Sequence, residues 1–184
     1  DVLLDKKFLI SAKTFYQINS IQTAVLYQLV IDYLELKKTD VILDAYAGVG
    51  TIGIVLSGYV DKVLAVEINK DSVFNANKNA KLNGVTNFDI KAMDALEYID
   101  RLVMSKTNID ALVVDPPRMG LDKAFIDAVL KLKPKKMVYV SCNPETLARD
   151  LSLLTASYSI KKVQPVDMFS QTYHVENVVL LVRK

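Results

Sequence analysis

Apolar residues fall into two rhythms along the chain. From Ser20 onward, Ile21, Ala24, Val25, Leu29, Val30, Tyr33 and Leu34 recur at spacings of three and four, which predicts a helix ending near Leu36 to Asp40. Short, nearly continuous apolar runs follow at 41–46, 62–67, 88–93, 111–116 and 137–142, each of strand length. Helical patterns separate them, and the one over "NKDSVFNANKNAKLNG" closes on Asn83 and Gly84, a C-terminal stop signal. Strand alternating with helix predicts an α/β fold whose parallel sheet is wound by right-handed crossovers. The rhythm then changes: "SIKKVQPVDM" and "HVENVVLLVRK" read as two strands with no helix between them, expected to pair antiparallel at one side of the sheet. Ahead of the first helix, "DVLLDKKFLIS" reads as a strand, so residues 1–19 are expected to form a strand-like leading segment.

Composition narrows this picture only in places. With 184 residues, 51% of them apolar, a single domain over 1–184 is expected. The net charge of +2 neither demands nor excludes nucleic acid, so any RNA footprint has to be local. The lone Cys142 excludes an internal disulfide and a cysteine zinc site, which agrees with a reducing, cytoplasmic location. No signal peptide and no membrane-spanning run is found. A chain opening on Asp1 inside a strand pattern reads as a domain taken from a longer protein.

In a doubly wound sheet, ligands sit beyond the carboxyl ends of the strands, so strand-end residues are the candidates. They are "DAYAGVGTIG" at 44–53, Glu67, Asp94, Asp115 in "DPPR", and Cys142. Gly48, Gly50 and Gly53 spell G-x-G-x-x-G, with Glu67 placed to grip a ribose; a nicotinamide-dependent dehydrogenase is one reading of this pattern. Two carboxylates turn the reading toward S-adenosylmethionine. Asp44 would repel a pyrophosphate but tolerates a sulfonium, and Asp94 is placed to accept from an adenine amino group.

Cys142 has two readings. Unpaired cysteine is commonly a small core residue. Here Asn143 is a good N-cap and Pro144 suits the first helical position, and a helix N-terminus favours a thiolate. Asp115-Pro116-Pro117 is equally a strand-terminating turn or a stiff backbone beside a ligand. His174, the only histidine, reads as structural, with no second ligand to make a metal site. Glu176 is either a solvated edge charge or a buried base with a raised pKa.

Taken in order, "FYQIN" at 15–19, "DAYAGVGTIG", "VVDPPRMGL" at 113–121, "YVSCNPETLARDL" at 139–151 and "FSQTYHVENVVLL" at 169–181 resemble the RNA (uracil-5-)-methyltransferase family, from roughly Phe8 to the C-terminus. The resemblance implies a class I methyltransferase domain, a Rossmann-like, mostly parallel sheet with an antiparallel C-terminal strand. It implies S-adenosylmethionine as methyl donor and uridine C5 of an rRNA or tRNA as acceptor. By the same resemblance Cys142 is the nucleophile and Glu176 the proton acceptor, with cofactor contacts from Gln17, Tyr46, Thr51, Glu67, Asp94 and Asp115. Thr51 stands where some members carry Asn, and "FSQT" departs from the usual proline- and histidine-bearing segment, leaving Ser170 and Gln171 without a role. Members carry an upstream RNA-binding module of the OB-like kind, sometimes with an iron–sulfur cluster, and neither falls within these residues. A module that bound cofactor or RNA without catalysing would be expected to have lost the thiol or the terminal carboxylate, and both are present.

Overall fold

A computed structural model describes all 184 residues, Asp1–Lys184. Five parallel strands, β3 (Val41–Ala45), β4 (Lys62–Glu67), β5 (Phe88–Ala92), β6 (Ala111–Val114) and β7 (Lys136–Ser141), join β8 (Tyr158–Val166) and β9 (Glu176–Arg183) in one seven-stranded sheet of order β5-β4-β3-β6-β7-β9-β8. The expected antiparallel pair is present, with one refinement. The last strand, β9, inserts between β7 and β8 and runs antiparallel to both, so β8 is the edge. Helices α1 (Ser20–Leu34), α2 (Thr51–Leu56) and α3 (Lys70–Leu82) cover one face of the sheet, and α4 (Ala95–Met104), α5 (Lys123–Leu132) and α6 (Pro144–Leu154) cover the other. This is the Rossmann-like class I methyltransferase architecture. No helix is long and apolar enough to cross a membrane.

Burial on both faces explains why the strands read as continuous apolar runs. Ile42, Val63, Val113, Val138, Val140, Val178 and Leu180 pack under α1 and α2. Their neighbours Leu43, Leu64, Leu112, Val114, Tyr139, Val179 and Leu181 pack under α4 to α6. Several strands end before the apolar run does. β6 stops at Val114, ahead of the donor-less Pro116, and β7 stops at Ser141, leaving Cys142 just past the sheet at the cap of α6.

The leading segment departs from the expected single strand. Val2–Leu3 (β1) and Lys6–Lys7 (β2) form a short hairpin, turning at Leu4 and Asp5, which both take positive φ (47° and 63°). Beyond it the chain runs to α1 with no strand partner and is held instead by three asparagines on α3. Asn83 accepts from Lys7 N–H (2.8 Å) and donates to Lys7 C=O (2.7 Å). Asn79 accepts from Leu9 N–H (2.7 Å) and donates to Leu9 C=O (3.4 Å) and to Val49 C=O (3.2 Å). Asn75 donates to the Ser11 hydroxyl (2.9 Å). The spacings match for a geometric reason: four helical residues rise about 6 Å and two extended residues about 6.6 Å, so side chains one turn apart meet every second residue of the segment. Each amide offers the donor and acceptor that a neighbouring strand would have supplied.

Asn79→Leu should strip partners from Leu9 N–H and Val49 C=O, at about 1–3 kcal/mol for each buried group left unpaired. Thermal unfolding should show a clear fall in Tm, and amide exchange at Leu9 should accelerate; an unchanged Tm would show that water replaces these bonds.

Candidate active site

Side-chain alternation decides what the strand ends present. Asp44 shares the parity of Ile42, Glu67 that of Val63, and Glu176 that of Val178, so all three face the α1 side of the sheet. Asp115 and Cys142 lie one residue past β6 and β7 in the same alternation. The last paired residues of β7 and β9 are Ser141 and Asn177, which brings Cys142 and Glu176 to adjacent strand ends. Glu176 is buried, Cys142 half-buried.

The glycine loop prepares the other half of this rim. Gly53 N–H donates to the Asp44 carboxylate (2.8 Å), and a Cβ at Gly53 would lie 2.7 Å from the Phe88 ring and 2.9 Å from that carboxylate, so only glycine lets α2 sit this close to β3. Gly48, at φ +54°, has no atom within 4 Å of an added Cβ and opens onto free space. Glu67 closes the loop onto β4, accepting from Gly48 N–H (3.0 Å) and Asn69 N–H (2.8 Å).

The remaining candidates are placed less uniformly. Asp94 caps α4, one oxygen accepting from Leu96 N–H (2.9 Å) and Glu97 N–H (3.2 Å). Thr51 shares a 2.8 Å hydrogen bond with Tyr27 OH, so its hydroxyl is already engaged. Tyr46, at φ +65°, packs against Phe125 (ring centroids 5.3 Å) on the α4 to α6 side, where Asp94 is among the carboxylates that act on its hydroxyl. Gln17 is buried in the leading segment, which Asn19 ties to Met168 C=O after β8 (2.9 Å).

Beside Cys142 lies a cavity of about 280 Å³, lined by Arg118, Cys142, Asn143, Glu145, Tyr173 and His174 among others. Arg118 Nη2 is 3.3 Å from His174 Nε2, and the His174 ring lies against Tyr173 (centroids 4.2 Å). His174, expected to be structural, is thus a wall of the cavity. Sequence reasoning passed over Arg118, Tyr27 and Ile68. Ile68, directly after Glu67, is 69% exposed, an apolar side chain left bare at the rim. Its signal was there: an isoleucine before the helix cap Asn69 has no apolar partner at helical spacing.

Electrostatics correct one expectation. Burial raises the Cys142 thiol pKa, Glu176 and Asp115 raise it further, and Arg118 opposes them. The shift is upward although Cys142 precedes the N-terminus of α6, because burial and the two neighbouring carboxylates outweigh Arg118. Burial pushes Asp115 up to about 8, helped by Glu176 and Asp44. It likewise pushes Asp44 up to about 7, against the Gly53 hydrogen bond and with help from Glu67. Glu176 is raised by burial and partly restrained by Arg118.

Two outcomes follow. Glu176→Gln should lower the pH midpoint for alkylation of Cys142, measured by mass spectrometry of the modified peptide; an unshifted midpoint would separate the two groups. For Asp115, an unfolded aspartate titrates near 3.9, so between about pH 4 and 8 the folded chain binds the extra proton and stability falls as pH rises through that window. Asp115→Asn should therefore raise Tm, and by more at about pH 8.5 than at about pH 5.

Comparison with known proteins places this geometry. The chain is 45% identical over 184 residues to an uncharacterized RNA methyltransferase of Enterococcus faecalis, covering 100% of the chain and 40% of that protein. It is 46% identical to one of Lactobacillus johnsonii, covering 100% and 41%. The chain thus spans about 40% of the length of the curated relatives it matches. The crystal structure of Pyrococcus abyssi tRNA (uracil-54, C5)-methyltransferase, in complex with S-adenosyl-L-homocysteine, superposes with TM-score 0.83 at 37% identity, over 97% of this chain and 42% of that one. Precorrin-6y C5,15-methyltransferase from Geobacter metallireducens, at TM-score 0.75 and 18% identity over 96% of this chain and 94% of that one, shares the fold. These likenesses take the glycine loop away from the dehydrogenase reading. The model of the tRNA (uracil-5-)-methyltransferase family matches residues 4–184, and the chain belongs to that family.

Proposed function

We propose that this domain is the catalytic part of an enzyme that methylates C5 of a uridine in tRNA or rRNA, with S-adenosylmethionine as donor and Cys142 as covalent catalyst. The observation that carries the reading is the placement of the chain's one thiol beside a cavity, at the strand end next to buried Glu176, on the face shared with the glycine-loop rim.

The rim fits the donor. Gly48 leaves open space, Glu67 offers carboxylate oxygens to ribose hydroxyls, and bare Ile68 offers an apolar surface to the adenine. Asp94 has one oxygen outside its capping bonds for the adenine amino group. Asp44 and Asp115, kept partly protonated by burial and by neighbouring carboxylates, Glu67 for the first and Glu176 and Asp44 for the second, gain from a cation nearby. Thr51 acts through Tyr27 rather than by a free hydroxyl, and Gln17 is carried over the rim by the leading segment. Bound there, S-adenosylmethionine supplies an electrophilic methyl group.

Uracil C5 is too weak a nucleophile to take that group unaided. Addition of the Cys142 thiolate to C6 places negative charge on C5, which would then take the methyl group as its bond to sulfur breaks and S-adenosylhomocysteine leaves. Arg118 is the cation that favours the ionised thiol. C5 still carries its hydrogen after transfer; Glu176, a buried carboxylate with a raised pKa, takes that proton, and elimination across C5–C6 returns the thiol. The thiol must stay reduced for this cycle, which suits the cytoplasm. The portion of the relatives' length outside this chain is where we place the main RNA-binding surface.

In the full-length protein, Glu176→Gln should transfer the methyl group yet release product slowly, so that a denaturant-resistant protein–RNA adduct accumulates with one methyl per adduct. Cys142→Ala should form no adduct, and turnover should collapse. An adduct in Cys142→Ala would refute the nucleophile assignment.

A further inference from the structure

The segment from Asp115 to Leu121 carries two of the groups that act on the thiol, Asp115 and Arg118, yet it contains no helix or strand. Its backbone is fastened to the helix that Cys142 precedes. Asn143 Nδ2 and Thr146 Oγ1 both donate to Arg118 C=O, each at 3.2 Å. Arg149 donates to Met119 C=O (2.8 Å) and Leu121 C=O (3.2 Å). Asp150, fully buried, accepts from Leu121 N–H (2.7 Å), from Tyr139 OH on β7 (2.7 Å) and from Arg149 Nε (2.8 Å). Gly120 sits at φ +74°, where an added Cβ would lie 2.5 Å from the Asp150 carboxylate and 2.8 Å from Arg149 Nη2. The loop backbone is pressed onto the pair so closely that no side chain fits between them.

An aspartate buried in a core that apolar residues could fill adds little net stability, because its desolvation offsets what its partners return. What it does add is fixed geometry. The bonds from Asn143, Thr146, Arg149 and Asp150 to Arg118, Met119 and Leu121 lock the loop to the element that positions the thiol. On the far side, only the Arg118–His174 contact restrains the guanidinium.

We propose that Arg149 and Asp150 are positioning residues of the reaction: by fastening this loop to α6 and β7 they hold the Arg118 guanidinium beside the Cys142 thiol. The proposal rests on Cys142 being the nucleophile, but the geometry it asserts is read without turnover. The charged and titratable groups around the thiol are Arg118 and Asp115 from the loop, Glu176 from β9, and Glu145, Tyr173 and His174 on the cavity wall. Of these, Arg118 alone has its backbone carbonyl bound by α6 side chains.

The test uses the full-length protein and the pH dependence of Cys142 alkylation by iodoacetamide, read on the Cys142 peptide by mass spectrometry. Arg118→Met should move the midpoint to higher pH. Arg149→Met should move it in the same direction, and the double variant should match Arg118→Met alone, because a guanidinium already displaced has nothing more to lose. In Arg149→Met, kcat should fall roughly tenfold or more, as for a catalytic group displaced by a fraction of an ångström. A wild-type midpoint in Arg149→Met, or shifts that add in the double variant, would overturn the proposal and leave Arg149 a purely structural residue. Should Arg149→Met fail to fold, Tyr139→Phe removes a single bond to Asp150; a smaller upward shift is expected there, and no shift overturns the proposal. Failure of the nucleophile reading would be seen separately, as methyl transfer that survives Cys142→Ala.

Discussion

The register between β7 and β9 is the constraint on which the site depends. Six antiparallel pairs run from Lys136 opposite Val182 to Ser141 opposite Asn177. A slip of one residue would turn Glu176 to the other face of the sheet and part it from the thiol. Hydrophobic pattern cannot prevent this slip, because Val178, Val179, Leu180 and Leu181 are all apolar and both faces are buried. The register is pinned from the far end instead. Arg183 N–H bonds Lys135 C=O (3.0 Å), the Arg183 guanidinium reaches Lys133 C=O (2.7 Å), and Lys184 N–H bonds Ser157 C=O (3.0 Å). Polar residues at one end of β9 thus position a carboxylate at the other.

The charge arrangement around the thiol runs against what a helix N-terminus alone would give. Asp44, Asp115 and Glu176 are all raised by burial, and the last two raise the thiol with them. Burial and these two carboxylates therefore keep the Cys142 thiol protonated and slow toward oxidants and adventitious electrophiles, whose target is the thiolate. A cation entering beside Asp115 would offset that carboxylate's influence and leave Arg118 to act on the sulfur. The cost is borne in stability at neutral and alkaline pH, as is common where function requires groups that packing alone would not choose.

Much of this fold was legible in the residues. Runs such as Lys62–Glu67 read as strands because both faces are buried, and the strand-end places of Glu67, Asp115 and Cys142 were legible because the apolar runs stop there. What escaped was set by tertiary partners. Nothing local shows that Asn75, Asn79 and Asn83 would replace a strand, since each reads as an ordinary polar position on a helix. The Tyr46 ring, given to the cofactor by the family resemblance, packs on Phe125, a contact that nothing local shows. The thiol's direction of shift depended on its burial and on Glu176 and Asp115, both distant from it in sequence.

The asparagine-bound leading segment separates two kinds of stability within one domain. It reaches from α3 beside the glycine loop to Met168 after β8, and no residue of it beyond Lys7 pairs with a strand. It is a belt buckled onto the sheet rather than woven into it. Its opening would release these amides and withdraw Leu3 and Phe8 from the core while every ladder bond of the seven strands stays intact, so it is a local event with its own, smaller free energy.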